Sequence, residues 1–176
     1  MGYSTDFIGN FDIEPALTKE QFDYLIALSQ TRRMKRNASL LEDNLTFPDP
    51  LREAVGLPVG ENGCFYVRST KNWGQDHDCP SIIDYNDPPL AELSLWCGWT
   101  PETLDSIAWD GDEKFYEYIA WIKFIVENLI KPWGLVLNGE VEWAGEDRED
   151  LGKIVIKDNE IEIFDAVITY NQREVY

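Results

Sequence analysis

Leu135-Val136-Leu137-Asn138-Gly139-Glu140-Val141-Glu142-Trp143 reads as a strand, and Lys153-Ile154-Val155-Ile156-Lys157, the pair Asp158-Asn159 and the run Glu160 to Ile168 read as two more strands joined by a tight turn. Strands that follow one another through short turns pair antiparallel. The stretch just upstream has a different period. Phe115, Tyr118, Ile119, Ile122, Val126 and Leu129 recur at helical spacing, Asp110 with Glu113 resembles a capping box, and Lys131-Pro132-Trp133-Gly134 closes the run. A long helix followed by successive strands predicts an α+β fold, with helices packed on one face of an antiparallel sheet.

Working toward the N-terminus, Thr5, Phe7, Gly9, Phe11 and Ile13 alternate, so residues 4 to 14 predict a strand ended by Pro15. Thr18 and Gln21 make a capping box for the second main helix, whose apolar stripe of Phe22, Leu25, Ile26 and Leu28 runs to about Gln30. Cys64 to Val67 predicts a strand, and residues 92 to 109 a hairpin. Between these lie two irregular stretches, Asn37 to Gly63, which holds one short helix at Leu51 to Val55, and Ser69 to Pro89. Long irregular segments are where binding sites commonly lie.

The chain has 176 residues, which fits one globular domain spanning 1–176, and its hydrophobic content of 44% supplies a core. Its charge is lopsided: 33 Asp and Glu against 15 Lys and Arg, net −18. A field of that sign repels phosphate backbones and anionic lipid, so the expected partner is a protein rather than nucleic acid or membrane. No apolar run has the length of a membrane span and no signal segment opens the sequence, so a cytoplasmic protein is expected. Cys64, Cys79 and Cys97 are odd in number and widely spaced, which argues for free thiols in a reducing compartment. With His77 they would supply zinc-ligand types, but the spacing matches no zinc knuckle, and neither a metal nor a cofactor is expected.

Two charged clusters are candidate sites. Glu140, Glu142, Glu146, Asp147, Glu149 and Asp150 form an acid-rich block broken only by Arg148. Its simplest form is a solvated hairpin face, its functional form a protein-binding surface, and regularly spaced carboxylates would also imitate DNA phosphates. The second cluster is Arg32, Arg33, Lys35 and Arg36, just past the end of a predicted helix, where cations complement the helix dipole and would also grip an anion. Nucleophile elbows and phosphate-binding glycine loops are absent.

Tyr3-Ser4-Thr5-Asp6-Phe7, Thr31 to Arg36, Ala54 to Gly60, Gly74-Gln75-Asp76, Asp84-Tyr85-Asn86, Lys114-Phe115-Tyr116 and Leu137 to Trp143 together resemble a family of small acidic proteins of tailed bacteriophages and bacteria. The resemblance runs to about residue 163 and transfers no catalytic role. It implies a phage-type accessory protein, for which inhibition of a host defence or nucleic-acid-processing protein is a common fate. The rival expectation is a small enzyme or nucleotide-binding protein. Its site would be formed by loops 30–63 and 69–90, bringing Arg32, Arg33, Arg36, Arg68, Gln75, Asp76, Asp84, Tyr85 and Asn86 over the sheet toward Glu140 and Glu142.

Overall fold

A computed structural model describes residues 2–68, Asp76 and 78–173. Strand β1 (Thr5–Glu14) leads into helix α1 (Lys19–Gln30), followed by the two-residue strand β2 (Lys35–Arg36) and the short helices α2 (Ala38–Leu41) and α3 (Pro50–Ala54). Strand β3 (Ile82–Asp84) pairs only with β2, while β4 (Trp99–Thr103) and β5 (Ser106–Trp109) form a hairpin. Helix α4 (Tyr118–Ile125) runs on into a π turn over Val126–Ile130, and β6 (Val136–Gly145), β7 (Leu151–Lys157) and β8 (Glu160–Asp165) complete the chain. The main sheet is six-stranded in the order β4-β5-β1-β6-β7-β8, with every neighbouring pair antiparallel. The fold is therefore α+β, as its periodicities predict.

Local chemistry explains most of the boundaries. The Thr18 hydroxyl accepts the Gln21 amide at 3.2 Å while the Gln21 side chain accepts the Thr18 amide at 2.9 Å, so the capping box that opens α1 is complete. Asp158 and Asn159 take left-handed conformations, at φ 50° and 68°, which suits the tight turn between β7 and β8. One face of the sheet carries Phe7, Phe11, Ile13, Leu137, Val141, Trp143, Ile154 and Ile156 into a single core with Tyr24, Leu25 and Leu28 of α1 and Trp121, Ile122 and Ile125 of α4. Phe7 sits among rings, with centroids 4.9 Å from Tyr118 and 5.4 Å from both Trp99 and Trp109. The buried indoles keep their N–H bonds: Trp99 donates to the Tyr118 carbonyl and Trp121 to the Ser94 hydroxyl.

Three boundaries differ from the sequence expectation. The long helix begins at Tyr118, not near Asp110, because Gly111, Lys114 and Glu117 all have positive φ and the Asp110 carboxylate instead caps a local turn at the Asp112 amide. Cys64 to Val67 joins no sheet: the Cys64, Phe65 and Tyr66 amides donate to the nearby carbonyls of Glu61, Val59 and Gly63, the Val67 amide donates to the Asp49 carboxylate and the Val67 carbonyl accepts the Thr31 hydroxyl, so local turns and side chains replace a strand ladder. In the expected 92–109 hairpin, only Trp99–Thr103 and Ser106–Trp109 pair, and the Leu95 carbonyl upstream accepts the Arg33 amide instead.

The β1–β6 ladder depends on two glycines set against each other's strand. Gly139 lies opposite Phe11 at φ +141°, and a Cβ there would stand 2.5 Å from the Asn10 carbonyl oxygen; Gly9, at φ +115°, would press on Glu140 in the same way. Both the positive φ and the backbone contact oppose any side chain. Gly139→Ala is expected to lose about 2 kcal/mol or more of unfolding free energy, measured by urea denaturation.

Candidate functional site

The basic run crosses the interior rather than decorating it. Arg33 and Arg36 are each 2% exposed. One Arg33 nitrogen donates to the Cys64 carbonyl at 2.7 Å, and Arg36 donates to the Ser81 hydroxyl at 2.9 Å with its guanidinium 4.9 Å from the Tyr66 ring centre. Arg33 Nε and Nη1 and Arg36 Nη2 have no partner among the described residues. Burial lowers the Arg33 pKa, and the neighbouring Arg36 charge pushes it the same way. Arg32 lies outside, with its guanidinium 4.2 Å from the Tyr85 ring centre and donating to the Tyr85 carbonyl and the Asn86 side chain. The Asp84 carboxylate accepts the Asn86 amide at 2.8 Å, so Arg32, Asp84, Tyr85 and Asn86 do come together.

The rest of the expected loop site is dispersed. Arg68 donates to the Pro48 carbonyl at 2.9 Å, and the Asp76 carbonyl accepts the Cys79 amide at 3.1 Å. Gln75 and His77 lie outside the described residues. Glu140 and Glu142 project from the face of β6 opposite Val141 and Trp143, which pack into the core shared with α1. The sheet therefore stands between these two carboxylates and the core that α1 shares.

The acid block divides by role. Asp150 accepts the Tyr3 hydroxyl at 2.7 Å and the Trp143 indole at 3.0 Å, and Glu146 accepts the Ser4 amide at 2.8 Å, so these two carboxylates fasten the N-terminal segment to the β6–β7 turn. Asp147, Glu149 and Glu142 are exposed, and Glu140 pairs with Lys153 at 2.9 Å. On the same outer face lie Asp6, Asp12, Glu160 and Glu162, countered by Lys153 and Lys157, and among the described residues no helix covers this face over β1, β6, β7 and β8. At its centre is a shallow depression of about 390 Å³ where Ile8, 76% exposed, and Phe164, 45% exposed, stand beside Ala144, Leu151 and Lys153.

A second concavity was not anticipated from sequence. A cleft of about 1430 Å³ runs between the end of α1, Asp49–Leu51, Val67–Arg68, Pro88, Ser94–Gly98 with Thr100, and Asp110–Tyr116. Buried Cys97, Gly98 and Phe115 contribute to its lining, and Gly98 is needed because a Cβ there would stand 2.7 Å from the Phe115 ring. No motif marks it: among the described residues its lining comes from six separated stretches, and the wall at 110–116 carries the sequence signals of a helix start. Asp49, Asp110, Asp112 and Glu113 outnumber Arg68 and Lys114 around it, so it favours neutral or cationic groups over phosphates.

Among the described residues no three His, Cys, Asp or Glu side chains gather as a metal site. Nor, among them, is any helix long and apolar enough to cross a membrane. Compared with known protein families, curated proteins and solved structures, the chain matches none.

The thiols differ in access. Cys64 and Cys97 are core residues, burial raises the Cys64 pKa and pushes that of Cys97 up to about 12, and Cys79 is half-buried beside Ser81. A thiol reagent at about pH 8 should therefore label Cys79 first in the folded protein, and all three cysteines once urea has unfolded it.

Proposed function

We propose that this chain is a phage-type accessory protein that binds and inhibits a host protein, of the defence or nucleic-acid-processing kind, through its acidic surface. The observation that carries this reading is the uncovered outer face of β1, β6, β7 and β8, where exposed carboxylates outnumber the two lysines and continue into the β6–β7 turn. A patch of one sign concentrates its field on one side of the molecule, which speeds encounter with a basic surface and excludes phosphate and anionic lipid. An apolar depression inside an acidic rim also has the anatomy of a protein interface, in which the central contacts carry most of the energy. The inhibitory role comes from the resemblance to phage-type accessory proteins. The DNA-mimic form of the reading requires that duplex DNA compete with the chain for the same partner.

Capture from bacterial lysate at moderate salt, with mass spectrometry, tests this reading. The wild-type chain should retain a near-stoichiometric protein, and Glu142→Gln/Asp147→Lys/Glu149→Lys should lose it while keeping its melting temperature, since none of these side chains makes a hydrogen bond within the described residues and glutamine sets no like charge opposite Lys153. Retention by the triple variant overturns the acidic-surface reading. Asp150 and Glu146 are left intact because they hold the N-terminal segment.

The cleft favours a second reading, a small enzyme or ligand-binding protein whose site is this concavity rather than the loops with Glu140 and Glu142. Its acidic lining points to a neutral or cationic ligand. Such a ligand at a hundred times its Kd would stabilise the fold by about 2.7 kcal/mol, and a thermal-shift screen of amines, nucleosides and nucleotides should then single out compounds without phosphate.

A further inference from the structure

We propose that the free edge of β8 takes up an extended segment of a partner protein as a seventh strand, and that this segment alternates basic with apolar side chains. The inference rests on the acidic-surface reading and names the chemistry of its partner. Strand β8 is the last of the main sheet: one side pairs with β7 from Glu160 opposite Lys157 to Asp165 opposite Gly152, and among the described residues nothing pairs with the other side. The β7–β8 register has no bulge and β8 has no proline, so about 20 Å of regular backbone presents unpaired donors and acceptors. The opposite sheet edge is different, because α1 lies against β4, where Ser29 and Thr100 hydroxyls meet at 3.2 Å. The described residues after β8 do not close the gap either: they continue past the β6–β7 turn, where Arg148 stands 5.5 Å from the Tyr170 ring centre.

Exposed edges in monomeric proteins are usually guarded by lysine, proline, a bulge or a cover. Here the guard is acid. On the outer face β8 carries Glu160 and Glu162, and on the inner face Ile161 is half-buried and Ile163 is 37% exposed at the margin of the core. Two copies of this strand paired with each other would set carboxylates against carboxylates, which destabilises a cross-strand pair. A strand with Lys or Arg facing the glutamates and Val or Ile facing Ile161 and Ile163 satisfies the edge hydrogen bonds, the charge and the apolar margin at once. The lysine nearest Phe164 is already bound to Glu140, so it offers the glutamates of β8 no substitute.

The probe is a capped peptide of alternating lysine and valine, titrated into the full, isotopically labelled chain at low salt, with its glutamate–valine counterpart as control. The lysine–valine peptide should slow hydrogen exchange of alternate amides between Glu160 and Asp165, and the control should not. Glu160→Lys/Glu162→Lys should weaken binding about tenfold or more, and Asp147→Lys/Glu149→Lys should leave it unchanged. Both pairs are exposed, and near-UV circular dichroism confirms that each variant folds. No binding, protection confined to the turn or the cleft, or dimerisation of the free chain through β8 each overturns strand addition. Binding at the turn alone would do so while leaving the acidic-surface reading standing, whereas loss of lysate capture with β8 protection intact would separate the two in the other direction.

Discussion

Ten consecutive residue pairs join β1 to β6, from Thr5 opposite Gly145 to Glu14 opposite Val136, and the rest of the molecule is arranged around them. The two strands lie more than a hundred residues apart in sequence, so the ladder closes a very long loop, whose entropic cost grows only slowly with length. What it secures is the alternation. With β1 fixed in the middle of the sheet, odd-numbered residues from Thr5 to Ile13 face α1 and α4, even-numbered ones face water, and β6 follows the same rule. A slip of one residue would send Phe7, Phe11 and Trp143 outward and bring Asp6, Asp12 and Glu142 into the core. The close approach at Gly9 and Gly139 fixes the register against that slip, because only a residue without a side chain fits either position.

The layer between α1 and β4 is held differently. Among the described residues between Thr31 and Pro89 there is little regular structure, and they are fastened by side chains that reach backbone: Asp49 to the Val67 and Arg52 amides, Arg33 to the Cys64 carbonyl, Arg52 to the Leu57 carbonyl, and Asn62 to the Pro89 carbonyl. Buried polar groups of this kind are costly unless satisfied, and Arg33 and Arg36 leave nitrogens without a partner among the described residues. Apolar side chains of similar volume commonly serve a protein interior equally well or better. The buried arginines therefore act less as sources of stability than as fixtures that select one path for an otherwise irregular loop.

Legibility followed periodicity. The alternation of Thr5 to Ile13, the capping box at Thr18 and the Asp158-Asn159 turn are local signals, and each appears in the structure where the sequence places it. Cys64 to Val67 misled because apolar residues on successive positions imitate a strand while the hydrogen bonds go to local turns and, at Val67, to Asp49 and Thr31. Asp110 with Glu113 imitated a capping box because an Asx turn uses the same side chain, and the positive φ at Lys114 and Glu117 leaves no trace in residue type. Burial of Arg33 and Arg36 was illegible for a related reason: four cations within five residues look like surface, and only tertiary contacts decide which of them turn inward. The cleft joins six distant stretches of the described residues and has no local signature.

Those inward arginines bear on the surface that remains. Arg33, Arg36 and Arg52 are buried, against Asp49 as the buried carboxylate, so the charge facing solvent is more negative than the overall −18. Self-repulsion on that scale works against compaction, and on β6 it falls on a strand whose inner residues are needed for the core. The sheet tolerates it because Lys153 reaches Glu140 across the β6–β7 ladder and Asp150 and Glu146 spend their charge on the Tyr3 hydroxyl and the Ser4 amide. Glu142, Asp147, Glu149, Glu160 and Glu162 have no such partner among the described residues, and they lie on one open side of the sheet or on the turn that ends it. Lys153 and Lys157, across the ladders from Glu142 and Glu160, relieve only part of this charge, because they are outnumbered by the carboxylates. Their concentration on a face with exposed Ile8 and Phe164 at its centre is what a basic partner would complete, because its charge would relieve the repulsion that this face leaves unrelieved.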